Sequence, residues 1–294
     1  VTIAVAIFMF AGKRIGLKQR WVMQESISAP QVGGIVRMTG FILKTAFLIE
    51  AIGALLLALR FCPQFGLGKG IWYGIFHAVS AFCNAGFDLM GETGAFSSLT
   101  GYVGDPLVNL VICLLIVVGG LGFLTWHDVA AHGRHVSQYR LQSKLILLTT
   151  LALLVGGFLF FRFYEFSRPQ WAALTGGERG LAALFQSVSP RTAGFNTVDL
   201  TQLSACSQLM TILLMLAGGS PGSTAGGFKT TTLAVLLLSV GAVIRRQGSA
   251  RCFGRRLPDQ VLRNACAIFL LYLLLFLAGG MLICCMDEIP LMQA

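Results

Sequence analysis

The chain has 294 residues, of which 55% are apolar and only 12% charged, and its mean hydropathy is +0.77. Soluble domains carry about a quarter charged residues, so a chain this poor in charge cannot cover a water-facing surface, and the composition is that of a membrane protein. A net charge of +10 would suggest nucleic acid as the partner of a soluble protein, but the basic residues here sit in alternate connections between apolar runs, so no nucleic-acid role is expected.

In chain order, residues 1–11 are an apolar run too short to cross a bilayer and read as the end of a longer span whose beginning is absent. Five further apolar runs, roughly 35–60, 104–126, 144–164, 203–243 and 260–285, each reach the ~20 residues that a membrane helix needs. The segments 12–34, 127–143 with the adjoining Lys144, and 245–263 hold thirteen basic side chains against Glu25, Asp128 and Asp259, a balance of +10. The remaining connections, with Arg60, Lys69, Arg162, Arg168, Arg179 and Arg191 against eight acidic residues, come to −2. Positive loops stay in the cytoplasm, so every second connection is inside and the orientation is fixed.

The eight cysteines show no C-x-x-C pair and lie mostly in apolar stretches, where cysteine is a small hydrophobe; neither a disulfide framework nor a zinc site is expected. His127, His132 and His135 cluster at the cytoplasmic end of a span without the spacing of one helix face, and read as juxtamembrane residues rather than metal ligands. Lys44 and Glu50 share a span, but a separation of six puts them on different helix faces.

The chain repeats itself. Between the first two full spans lies "IWYGIFHAVSAFCNAGFDLMGE", and between the third and fourth lies "LAALFQSVSPRTAGFNTVDL". Phe76, Val79 and Ser80 match Phe185, Val188 and Ser189 at an offset of 109, and Ala85, Gly86 and Phe87 match Ala193, Gly194 and Phe195 at 108. The duplicated unit is span, short helix of about ten residues, A-G-F, span, and internal repetition of this kind builds many transport folds. Each short segment starts and ends outside, too apolar for a plain loop and too short to cross, and is therefore expected to be re-entrant. Non-helical backbone at membrane depth survives only beside protein or a water-filled path. An ion filter replaces hydration water with backbone carbonyls, whose directions glycine can set because it adopts positive φ freely. Asn84, Ala85, Gly86 and Phe87, with Thr192, Ala193, Gly194 and Phe195, are thus expected to form two wall segments of one filter. A short helix dipping in from outside points its partly negative C-terminus at the midplane, which favours a cation.

The run 203–243 has 41 residues and as one helix would measure about 61 Å, twice the ~30 Å apolar thickness. Two separate spans would be too short and would put Arg245 and Arg246 outside, so one span interrupted at mid-depth is expected. The interruption is "GGSPGSTAGG", in which Gly218, Gly219, Pro221, Gly222, Gly226 and Gly227 cannot sustain helix and Ser220, Ser223, Thr224 and Ala225 are small. From Gly222 the run comes within one residue of the phosphate-binding G-x-x-x-x-G-K-[ST], but Phe228 displaces Lys229 and no strand precedes it. A flexible gate beneath the filter is the better reading. Lys229, a cation at membrane depth, either marks the ion path or snorkels to the cytoplasmic headgroups.

These stretches, with "GKRIGLKQR", "FLIEAIGALLLALRF" and "GGLGF", resemble the ion-conducting subunit of the TrkH/KtrB superfamily of potassium transporters, nearer the KtrB branch, over nearly the whole chain. The resemblance implies an all-α polytopic membrane protein of four helix–pore loop–helix repeats around a pseudo-fourfold pore. One filter glycine would come from each repeat, Gly86 and Gly194 being the second and third, and residues 218–227 would be the gating loop. Residues 1–34 would then end repeat 1. Residues 35–143 would form repeat 2, with pore loop 72–90 and helix 104–126; 144–245 would form repeat 3, with pore loop 178–199; and 246–294 would begin repeat 4. Two of the four filter walls fall outside that partition, so the chain reads as a fragment or a truncated relative. Further implications are K+ uptake, in some members coupled to Na+, no cofactor, a place in the bacterial plasma (inner) membrane, and a homodimer on a cytoplasmic nucleotide-binding regulatory subunit of the KtrA/TrkA type.

Two other classes of function compete. An alternating-access cation carrier also builds midplane sites from broken helices, but the repeats here run in the same orientation, whereas inverted repeats would favour a carrier. A membrane enzyme would need an acid, base or nucleophile constellation, and the sequence offers none.

Overall fold

The computed structural model describes Trp21, Gln24 and residues 35–287 except 93, 95, 96 and 248. The expectations for residues 1–34 therefore lie outside the described residues, apart from those two positions. Helix α1, Ile35–Phe65, follows the first long apolar run and ends where Gly66, at φ +81°, reverses the chain and donates its N–H to Cys62 O at 2.9 Å. Helix α2, Leu67–Phe82, then returns along α1, and their contact is close enough that a Cβ at Gly70 would fall 2.5 Å from the Cys62 backbone. The short helix expected at about ten residues is thus 16 long, because the turn at Gly66 lets it begin immediately after α1.

Asp105 caps the next helix, α3, Pro106–Gly120, accepting the Leu107 and Val108 N–H groups at 3.0 and 3.1 Å, with Pro106 in the first turn where it sacrifices no hydrogen bond. Arg60 of α1 pairs with the same carboxylate, tying the end of α1 to the start of α3. The single helix expected over 104–126 requires correction. The chain bends by 98° after Gly120 and resumes as α4, Phe123–His132. The bend follows from Gly122, at φ +85°, and from Phe123 N–H, which donates to Gly222 O at 2.9 Å instead of to a carbonyl of its own helix.

Asp128 of α4 is buried and accepts Ser143 Oγ at 2.7 Å and Arg140 N–H at 3.2 Å, fixing α4 to the start of α5, Leu141–Phe160. One π-helical turn, Phe161–Glu165, extends α5. The second short helix, α6, Gly176–Val188, starts at a reciprocal cap in which Thr175 Oγ1 accepts Glu178 N–H and Glu178 Oε2 accepts Thr175 N–H. Helices α7, Ala205–Leu216, and α8, Thr230–Ile244, flank the glycine-rich segment. A two-stranded hairpin, β1 Arg251–Cys252 and β2 Arg255–Arg256, leads into α9, Asp259–Asp287.

One apolar core joins α1, α2, α3 and α6 through Leu57, Phe61, Ala78, Ile112 and Phe185, each fully buried. A second joins α5, α6 and α7 through Phe161, Phe166, Ala182 and Leu214. On α9, by contrast, no residue of the most apolar window is buried. Among the described residues, three helices are long and apolar enough to cross a membrane, or four if the bent α3–α4 pair counts as one span.

Candidate functional site

Both short helices end in the same way. After α2, Asn84 and Gly86 have φ of +51° and +75°, while Ala85 between them does not have positive φ; after α6, Thr192 and Gly194 stand at +68° and +92°, with Ala193 between. The freed carbonyls of each last turn are used. Ala85 N–H donates to Ser80 O at 2.9 Å, and Ala193 N–H donates to Ser189 O at 3.0 Å. The two serines, which match in sequence, brace the far end of each loop, Ser80 Oγ donating to Phe87 O at 2.7 Å and Ser189 Oγ donating to Phe195 O.

The loops meet. A Cβ at Gly86 would fall 2.2 Å from Ala193 O and 2.9 Å from Gly194 Cα, so the two A-G-F turns touch backbone to backbone. They are not interchangeable. Phe195 is 2% exposed, its ring 6.3 Å from that of buried His77, whereas Phe87 is 70% exposed. His77 is itself held by Tyr73 O, 2.7 Å from its Nδ1.

The segment between α7 and α8 is a closed loop whose neck is a bridge between Ala217 and Phe228. Inside it, Gly219 N–H donates to Gly226 O at 3.1 Å and Thr230 N–H donates to Gly219 O at 3.1 Å. Gly218, Gly219, Ser220 and Ala225 are buried, Pro221, Gly222, Ser223, Thr224 and Gly227 half-buried, and Gly226 exposed. Lys229 folds back, donating from Nζ to Ala225 O at 2.9 Å. Ser220 Oγ and Thr230 Oγ1 are 3.1 Å apart across the neck. Ser223 Oγ has no partner among the described residues.

This loop seats on both filter-like loops and on the α3–α4 bend. Thr224 Oγ1 donates to Phe82 O at 2.8 Å and lies 3.3 Å from Asn84 Oδ1; Gly226 N–H donates to Thr192 Oγ1 at 3.0 Å. Ser220 and Thr224 donate their N–H groups to Gly120 O and Gly119 O at 3.0 and 3.2 Å. A phosphate cradle needs such donors free, and the N–H groups of Gly219, Ser220, Thr224, Gly226 and Thr230 are all taken by protein oxygens. Nor do the described residues contain a group of three or more His, Cys, Asp or Glu able to hold a metal ion.

Sequence reasoning missed three participants. Gly119 is one: a Cβ there would lie 2.1 Å from Phe82 O and 2.9 Å from Thr224 Oγ1. The bend at Gly122 is the second. Arg191 is the third, 6% exposed, its Nη2 reaching Gly218 O at 3.4 Å and its Nε without a partner among the described residues, beside a cavity of about 10 Å3. The glycines of "GGLGF" and the charge inside "SPRTAGF" were the available signals, but only the folded chain brings them together.

Comparison with known proteins gives this arrangement its context. The family model described as TrkH, cation transport protein, matches residues 1–291. The chain belongs to that family. It is 38% identical over 288 residues to the potassium/sodium uptake protein NtpJ of Enterococcus hirae, covering 98% of this chain and 62% of that protein. It is 37% identical over 294 residues to the Ktr system potassium uptake protein B of Bacillus subtilis, covering 100% of this chain and 65% of the relative. Among solved structures it resembles the potassium transporter TrkH from Vibrio parahaemolyticus, with a TM-score of 0.70 and 18% identity over 91% of this chain and 57% of that one, a likeness of fold. The chain thus spans less than two thirds of the length of each of these proteins.

Proposed function

We propose that this chain is the central part of a channel-like subunit for K+ uptake across the bacterial plasma membrane. Residues Asn84–Phe87 and Thr192–Phe195 supply two walls of a carbonyl-lined filter, and residues 218–227 with Lys229 form the gate beneath it. The observation that carries this reading is the pair of loops with positive φ at matched positions, meeting at Gly86 and Ala193 over a seated glycine-rich loop. Two relatives named for potassium or potassium/sodium uptake support the choice of ion. Alternating φ sign turns successive carbonyls toward one side of a strand, as an ion that exchanges water for protein oxygens requires. The shared orientation of the two repeats favours this over an alternating-access carrier.

The apolar side chains that α8 and α9 expose, among them Leu237, Val243, Leu271 and Leu275, suit lipid or a second copy in a homodimer. The basic cytoplasmic connections suit a regulatory subunit of the KtrA/TrkA type. Na+ coupling is an extension of the same reading, suggested by a potassium/sodium relative. The test is Rb+ uptake in transport-deficient cells by the complete transporter, this chain with the flanking segments its relatives carry. Gly194→Ser should change ion preference, and unchanged preference overturns the filter assignment. Deleting part of 218–227 should increase flux, and unchanged or lost flux counts against the gate.

A further inference from the structure

Both filter loops hold a residue other than glycine in the left-handed region, Asn84 at φ +51° and Thr192 at +68°. A β-branched residue such as Thr192 adopts this conformation at a cost and keeps it only when its surroundings impose it, while asparagine adopts it more readily. In each case the gate loop contributes to the imposition. Thr224 Oγ1 donates to Phe82 O, the last carbonyl of α2, and touches Asn84 Oδ1, while Gly226 N–H donates to Thr192 Oγ1. Gly119 has no side chain at the place where a Cβ would collide with Phe82 O and Thr224 Oγ1, so the approach is built into the neighbouring helix as well. Arg191, next to Thr192, adds a longer contact to the neck of the loop at Gly218 O.

We propose that Thr224 is a specificity-determining residue for the transported cation: its hydroxyl, bonded to Phe82 O beside Asn84, holds the first filter loop in its conformation while the Gly226 N–H of the same seated loop holds Thr192 in the second, so that the chain binds its cation more tightly with the loop seated than with the loop released. Resting on the filter-and-gate reading above, the inference adds that opening and ion preference are not independent. A loop that leaves its seat withdraws the hydroxyl at Phe82 and the N–H at Thr192 in one movement. The filter then loses the partners that hold its strained positions at the moment it must let an ion pass, which lowers affinity when throughput is needed.

The experiment measures Rb+ uptake by the complete transporter, its half-saturating Rb+ concentration and the inhibition by Na+, for Thr224→Val, which keeps the shape and removes the hydroxyl, and for Thr224→Ser, which restores it. Thr224→Val is expected to raise the maximal rate and the half-saturating Rb+ concentration together, the latter about three- to tenfold, the scale of one net hydrogen bond. The Rb+-over-Na+ preference should fall by a similar factor, and Thr224→Ser should behave as the parent. A raised rate with unchanged half-saturation and preference overturns the coupling while leaving the gate in place; no change in any of the three overturns it also. Failure of the filter reading itself is recognised separately, by unchanged ion preference in Gly194→Ser. Should Thr224→Val not accumulate in the membrane, Thr224→Ala removes the same hydroxyl with less bulk. K+-dependent melting of the purified protein then reads the affinity without flux, and a K+ midpoint equal to the parent's refutes the proposal.

Discussion

Replacing Gly86 by alanine tests the proposed filter where the geometry is tightest. At φ +75°, an alanine pays about 1–2 kcal/mol for the left-handed backbone alone. Its Cβ would stand 2.2 Å from Ala193 O, 2.9 Å from Gly194 Cα and 3.1 Å from Ala193 C. All three atoms are backbone, so no side chain can swing aside. An ordinary C···O contact is about 3.3 Å or longer, so the two loops must separate by about 1 Å. Overpacking of this kind costs about 1–3 kcal/mol, which brings the total to about 2–5 kcal/mol. That is less than the ~5–15 kcal/mol stabilising a typical fold, so the chain is expected to reach the membrane with its filter distorted. Because selectivity depends on where the carbonyls stand, Rb+ uptake should fall at least about tenfold or lose its discrimination against Na+. The assay is Rb+ uptake with Na+ competition in transport-deficient cells at matched membrane abundance. Parental uptake and parental Na+ competition would refute the placement of Gly86 in the ion-binding wall.

Gly119→Ala should unseat the 218–227 loop from outside its own sequence, since the added Cβ would fall 2.1 Å from Phe82 O and 2.9 Å from Thr224 Oγ1; if that loop is the gate, increased Rb+ flux is expected, and parental flux contradicts the seat at Gly119. The Glu165 carboxylate is fully buried and accepts Gln170 Nε2, Trp171 Nε1, Ser204 N–H, Ser204 Oγ and Ser207 Oγ, tying the end of α5 to the start of α7. Glu165→Gln sets an amide N–H against these donors, at about 1–3 kcal/mol, and should lower the melting temperature by about 2–12 °C; an unchanged melt refutes the role. Thr175→Ala removes the cap of α6 and should cost about 0.5–2 kcal/mol in the same assay, a loss that Thr175→Ser should not show. The Thr175 backbone N–H and hydroxyl hold the Glu178 carboxyl below the usual carboxylate range. A folded value below the unfolded one stabilises above the unfolded value, about 4.3, and the gain is lost as pH falls through the folded value. Glu178→Gln should therefore flatten the acid limb of the melting profile, and an unchanged limb argues against the cap.

The fold class and the family were legible because long apolar runs and a duplicated A-G-F unit are local properties of the string. What escaped it depends on contacts between distant segments. The run 104–126 is apolar throughout, and nothing within it shows that Phe123 N–H is taken by Gly222 O, some hundred residues away. The lengths of α2 and α6 were set at their starts, by the turn at Gly66 and the cap at Thr175; the T-G-G-E pattern of that cap was a readable signal, the turn less so. Identical letters also concealed different surroundings. Phe87 and Phe195 end the same motif, yet one is exposed and the other packs by His77, a difference decided by the neighbours each loop meets.

The two interruptions of helix in this chain explain each other. A bend at Gly120–Gly122 frees carbonyls at the end of α3 and an N–H at the start of α4, and a loop between α7 and α8 frees its own. In an apolar medium each such group left unpaired costs several kcal/mol, so either break alone would be prohibitive. The groups pair across the breaks: Gly119 O and Gly120 O accept from Thr224 and Ser220, and Gly222 O accepts from Phe123. The bend between α3 and α4 is therefore the receptor for the loop between α7 and α8. A loop that moves must leave these acceptors to water or to new donors. The seat can open only where water reaches it, which is the physical reason to place the proposed gate and the proposed ion path in the same space.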